Sequence, residues 1–209
     1  MNEQNTERQS ISKKQKTVLI VLSMIAVCLI VTSLLVFWVL PSVLKSRFKL
    51  EHADLIKQYS EQYDLDPALV CAVIYTESSF NERATSRVGA KGLMQIMPQT
   101  GAEIAEAFGE PFSEERLYDP EVSIRYGCYY LRMQMDRFDQ NEAVTLAAYN
   151  AGPHRAELWI AEYGLDSKGH IRYIPFGETD RYVDKVLQAK ENYANLYAKE
   201  LATDTEDVK

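Results

Sequence analysis

The chain has 209 residues, 46% of them hydrophobic and 25% charged, with 23 Lys and Arg set against 30 Asp and Glu. That length holds one ordinary domain plus an appendage. The formal charge of −7 hides a split, because residues 17–209 carry 19 cationic and 28 anionic side chains, a balance of −9; no basic stripe is left to follow a nucleic-acid backbone, and the acidity reads as solubility.

Residues 1–17 are polar and form an N-terminal tail, assigned here to the cytoplasmic side. Val18 to Leu40 follows without a charge and with only Ser23, Thr32 and Ser33 as polar side chains. As a helix these residues reach about 34 Å, enough to cross a bilayer core. Phe37 and Trp38 stand near the far end, where an interface places aromatic rings. The run is too long for a cleavable signal peptide, and PSVLKSRF after it offers no small-x-small cleavage site. An uncleaved transmembrane anchor over 18–40 is expected. Four cations precede it (Arg8, Lys13, Lys14, Lys16) and three follow closely (Lys45, Arg47, Lys49), so charge alone biases the orientation only weakly. Residues 41–54 read as a juxtamembrane stalk, with a helix expected over 45–62 from the spacing of Phe48, Leu55, Ile56 and Tyr59.

Beyond it the sequence predicts about seven short helices and no strand pattern, an all-α domain over 55–198. Asp66-Pro67 and Asp119-Pro120 each read as an N-cap followed by a first helical residue. They launch PALVCAVIYTES and PEVSIRYGCYYLRMQMDRF. Between them PQTGAEIAEAFG ends at Gly109, a C-terminal stop. Asn141 caps EAVTLAAYN, which halts at Ala151-Gly152-Pro153, and PHRAELWIAEYG follows. Glu178–Leu201 is the last helix, and 199–209 form a polar tail. The three cysteines (Cys28, Cys71, Cys128) lie in apolar contexts and read as small buried hydrophobes, with a Cys71–Cys128 bridge disfavoured. His52, His154 and His170 have no metal-ligand spacing, so no metal and no cofactor are expected.

One carboxylate stands out. Glu77 lies in the last turn of a helix that is apolar on nearly every face. Burial and the negative end of the helix dipole both disfavour its ionised form. A raised pKa suits a general acid near neutral pH. The residues alone weigh this evenly against a glutamate that points into solvent. Downstream, Gly89 and Gly92 read as a tight loop that lets backbone approach a ligand. Gln95 offers an amide among Leu93, Met94, Ile96 and Met97, a surface suited to a sugar with an acetamido group. Tyr149 and Asn150 close a helix, either as cap and core or facing a cleft.

Glu77-Ser78-Ser79-Phe80, Gly92-Leu93-Met94-Gln95-Ile96-Met97-Pro98, Ala148-Tyr149-Asn150-Ala151-Gly152-Pro153 and Ile174–Val183 together resemble the ordered motifs of the soluble-lytic-transglycosylase-type catalytic domain, in a membrane-anchored form. The resemblance covers about residues 55–198. It implies a lysozyme-like all-α fold and cleavage of the β-1,4 bond between N-acetylmuramic acid and N-acetylglucosamine in peptidoglycan. It implies Glu77 as the one catalytic carboxylate, acid and then base, with 1,6-anhydro ends as product. Ser78, Met94, Gln95, Met97, Tyr149, Asn150 and Glu178 carry over as substrate-binding positions. Peptidoglycan strands and the cytoplasmic membrane are the implied partners, and the bacterial cell membrane, with the domain outside the cytoplasm, the implied location.

The sequence departs from the family at Arg87, where proline is common, and at Asp180, which interrupts a basic run. Glu82 follows Glu77 by five residues, beyond the helix end, and reads as solvated. Glu178 is the remaining second carboxylate, so a hydrolytic muramidase is an alternative, as is a non-catalytic, membrane-tethered glycan-binding module. A cysteine peptidase built on Cys71 and His154 is disfavoured, because nothing around Cys71 would lower its pKa.

Overall fold

The structure, a computed structural model, describes residues 13–202. Most of the N-terminal tail and the end of the C-terminal tail lie outside the described residues. Two compact units divide the chain at Arg47/Phe48. The first contains one helix, α1 (Lys13–Arg47), which buries none of its residues and is long and apolar enough to cross a membrane. Pro41 lies inside it, where the ring removes one backbone donor. Ser23 and Thr32 turn their hydroxyls back onto carbonyls one turn earlier, which pairs these two polar groups within the helix.

The second unit is helical, and among the described residues it holds no strand, only isolated bridges. Its helices are α2 (Ala53–Gln62), α3 (Pro67–Ser78), α4 (Pro98–Phe108), α5 (Pro120–Arg137), α6 (Glu142–Ala151), α7 (Pro153–Tyr163) and α8 (Gly177–Leu196). A short 3-10 turn, Glu114–Tyr118, precedes α5 where the sequence predicts no element. The caps are those the sequence predicts. Asp66 accepts from the Ala68 N–H at 2.8 Å, Asp119 from Val122 at 3.1 Å and Asn141 from Val144 at 3.2 Å. Each satisfies a donor that the first helical turn leaves free.

The helix expected over 45–62 is instead broken at residues 48–52. Burial of Phe48 explains the break. Its ring packs on Tyr75 and Tyr193, with centroids 4.9 and 5.8 Å away. The Tyr193 hydroxyl donates to the Lys49 carbonyl at 2.7 Å, and the Tyr197 hydroxyl to the Phe48 carbonyl at 2.8 Å. These long-range partners replace the helical bonds a continuous helix would make. Toward the other end α8 stops at Leu196, yet Leu201 beyond it is buried.

α3 is the centre of the unit. Seven consecutive residues, Ala68 to Ile74, are buried. Each fully buried Leu, Val or Ile contributes about 1.5–3 kcal/mol, so a helix sheathed on all sides holds its neighbours firmly. α8 makes the most extensive packing against it, and also packs on α6. These contacts bring the C-terminal end of α3, the end of α6 and the start of α8 to one place.

Candidate active site

α3 ends abruptly. Ser79 (φ 52°) and Phe80 (φ 63°) both take left-handed backbone, which turns the chain away and leaves Glu77 in the final turn. A tight loop follows, pinned by bridges Thr85–Lys91 and Lys91–Ile96. Glu77 lies in a cleft of about 390 Å³ lined by Ser86, Val88, Gln95 and Met97 from this loop region, Tyr149 and Asn150 from α6, Arg155 from α7, and Phe176, Glu178 and Thr179 at the start of α8.

Glu77 keeps partial exposure, but loss of water around its carboxyl dominates its chemistry. Burial pushes its pKa from 4.5 up to about 7, the nearby Glu178 charge adds to the rise, and the Tyr182 hydroxyl works against it. Tyr182 is buried, and its hydroxyl makes no hydrogen bond of ordinary geometry. It therefore acts on Glu77 as a nearby dipole, without locking the carboxyl. The neutral acid and the carboxylate are both accessible near pH 7, as a group that must give and then take a proton requires.

The expected site residues divide. Glu77, Gln95, Met97, Tyr149, Asn150 and Glu178 share the cleft. Ser78 and Met94 do not line it. The Ser78 hydroxyl turns back to the Ile74 carbonyl at 3.1 Å, and the Met94 side chain is 0% exposed. Met94 fills the space above Gly127, where an added Cβ would come within 2.2 Å of its sulfur. What Met94 offers is its carbonyl, which accepts from the Tyr149 hydroxyl at 2.9 Å. Tyr149 is thus a donor, spent on the framework, and burial together with Glu77 holds its pKa well above the usual value. Gln95 spends its amide N–H groups on the Ala84 and Gly92 carbonyls, at 3.2 and 2.9 Å. Its carbonyl oxygen is the polar group the loop does not use.

Gly92 does not serve a ligand as expected. A Cβ there would fall 1.9 Å from the Leu117 carbonyl oxygen, and its φ is +75°; the close approach is to protein backbone. Arg87, in place of proline, leaves the loop held, since Ser86 N–H donates to the Ala90 carbonyl at 2.9 Å and Ser86 Oγ accepts from Ala90 N–H at 3.0 Å. Asp180 is exposed and absent from the cleft lining; Glu82, half-buried, is absent from it too and pairs with His52 at 3.1 Å. Cys71 and Cys128 are free and buried, and burial pushes both thiols up, the opposite of a reactive nucleophile.

Sequence reasoning missed Ser86, Val88, Arg155, Phe176, Thr179 and Tyr182 as site residues. A signal was present for two of them, since Glu178 and Tyr182 are four apart and Thr179 and Tyr182 three apart, one face of a helix.

The sequence model described as Transglycosylase SLT domain matches residues 54–171. The chain belongs to this family. The soluble lytic murein transglycosylase of Escherichia coli (strain K12) is 38% identical over 148 residues, 69% of this chain and 23% of that protein. The membrane-bound lytic murein transglycosylase C of Edwardsiella ictaluri (strain 93-146) is 28% identical over 172 residues, 70% of this chain and 47% of that protein. Among solved structures, the 70 kDa soluble lytic transglycosylase Slt70 from Escherichia coli superposes with a TM-score of 0.69 at 36% identity, covering 78% of this chain and 27% of that one. This chain therefore spans about a quarter of the soluble relatives and carries the SLT domain's helical fold, with an apolar helix ahead of it.

Proposed function

We propose that the chain is a membrane-anchored lytic transglycosylase that cleaves the β-1,4 bond between N-acetylmuramic acid and N-acetylglucosamine in peptidoglycan. The observation that carries this reading is Glu77, with its pKa raised to about 7, in a cleft built by the family's motifs. As acid, the Glu77 carboxyl gives its proton to the glycosidic oxygen while the bond from that oxygen to muramyl C1 breaks. As base, the resulting carboxylate takes the proton of the muramyl C6 hydroxyl while O6 closes onto C1. Glu77 returns to its starting state, no water is consumed, and the product is a 1,6-anhydro end. Gln95, Met97, Tyr149 and Asn150 supply the walls that hold the sugars, and Glu178 keeps the Glu77 proton in place by its charge.

A substrate outside the cytoplasmic membrane supports an orientation with the domain on that side, which charge counting biased only weakly. Residues 1–17 then stay in the cytoplasm, α1 crosses once, and the domain faces the wall.

A second reading, a hydrolytic muramidase, draws support from Glu178 in the same cleft, since paired carboxylates can activate a water. Digestion of purified wall followed by mass analysis separates the two. Anhydro ends are expected; products about 18 Da heavier, by one water, with reducing muramyl ends would establish hydrolysis instead. No wall clearing by the wild type, with binding to the glycan retained, would leave only a glycan-binding module.

A further inference from the structure

Arg155 is the only cationic side chain in a cleft lining that otherwise carries Glu77 and Glu178. It stands in the first turn of α7, where a cation meets the positive end of the helix dipole. Helix energetics do not account for it there. Neither does an ion pair, since no carboxylate among the described residues pairs with it. Its guanidinium lies over the Phe176 ring, 5.1 Å from the centroid, and its one intramolecular hydrogen bond is a 3.4 Å contact with the Ala151 carbonyl. Phe176 is backed in turn by Trp159, with centroids 5.6 Å apart. The aromatic pair gives the guanidinium a surface to rest on and leaves most of its N–H donors unspent. A planar fork of donors matches a carboxylate.

We propose that Arg155 is a specificity residue that binds a carboxylate carried on the muramyl residue of the glycan. This rests on the peptidoglycan reading above. Two sources present that chemistry, the free carboxyl of the lactyl ether on a bare glycan and the acidic groups of a peptide stem attached there. Arg155 adds ground-state affinity and selects among wall chemistries, while the proton transfers stay with Glu77.

The test is binding by the full chain in detergent micelles, in a Glu77→Gln background so that no bond is cut. Four glycan preparations serve as ligands: stems with free carboxylates, the same stems amidated, stem-free chains with the lactyl carboxyl free, and stem-free chains with it amidated. Adding Arg155→Gln is expected to weaken binding about tenfold to the acidic member of one pair and to leave both neutral members unchanged. The pair that responds identifies the source. Arg155→Lys, which keeps the charge and loses the fork, restores part of the affinity, and the effect shrinks with added salt. Unchanged binding to the neutral glycans also reports that the variant is folded. An equal loss on acidic and neutral glycans, or no loss on any, overturns the proposal. Failure of the Glu77→Gln chain to bind any of the four would remove the peptidoglycan reading itself, and this inference with it.

Discussion

The Thr179 hydroxyl donates to Oδ1 of Asn150 at 2.8 Å, joining the first turn of α8 to the last turn of α6 across the cleft. Thr179 itself is buried while Asn150 is exposed, so the bond fixes an otherwise loose asparagine. Thr179→Val is expected to lower stability by about 1 kcal/mol and kcat/KM on purified wall by roughly tenfold. Thr179→Ser, which keeps the donor, should recover most of both. An unchanged kcat/KM for the valine variant would mean that the position of Asn150 does not matter.

Glu77→Gln should cost about 10²–10⁴ in wall-cleaving rate while the helical circular dichroism stays intact. It should also change how stability depends on pH. A carboxyl whose pKa rises on folding from 4.5 to about 7 favours the native state most below pH 4.5, and that contribution is lost as pH rises through 7. Gln mimics the neutral acid at every pH. The two proteins should melt together at pH 4, and the variant should be more stable by about 1–3 kcal/mol at pH 8. Parallel melting curves across that range would contradict a buried, raised Glu77.

Two neighbours push the Glu77 proton in opposite directions. The Tyr182 hydroxyl favours the carboxylate, and the Glu178 charge favours the acid. Tyr182→Phe should therefore move the alkaline limb of the kcat/KM profile to higher pH, and Glu178→Gln should move it lower. Because the Tyr182 hydroxyl meets Glu77 outside ordinary hydrogen-bond geometry, the phenylalanine variant should change stability by less than about 1 kcal/mol. Loss of all turnover in Glu178→Gln would instead assign that carboxylate a direct step.

Gly92→Ala should be the most damaging single methyl in the loop. The Cβ would sit 1.9 Å from the Leu117 oxygen at a φ of +75°, and neither can relax without moving the 3-10 turn. A loss of at least about 2–4 kcal/mol is expected in thermal melts. Gly89→Ala, at φ +91° but with nothing within 4 Å of its Cβ, should lose less. Equal losses at both sites would show that backbone strain alone, and not the clash, sets the effect.

Helix starts were legible because their caps are local. Asp66, Asp119 and Asn141 each bond a residue two or three positions on, and a window of sequence contains both partners. Glu77 was half legible for a related reason. The apolar helix beneath it is local, but the residue that raises its pKa further lies 101 positions away at Glu178. The misassignments have the same root. Met94 and Ser78 belong to motifs that surround the cleft, and only the packing of Met94 on Gly127 or the turn of Ser78 onto Ile74 reveals that they do not line it. Spacing puts Phe48 on one face of a helix because it carries no record of Tyr193 and Tyr197, about 145 residues downstream, which claim its neighbourhood.

Those two tyrosines set where the domain can be separated from the apolar helix α1. A soluble version started at residue 55 would discard Phe48 and Lys49, leaving the Tyr193 and Tyr197 hydroxyls without their carbonyls and an open socket beside Tyr75. A version that begins directly after Arg47 keeps the hasp closed. The helix so fastened, α8, also carries Glu178, Thr179 and Tyr182 at its other end, so trimming those few residues would be felt in the cleft, at the far end of the same rod.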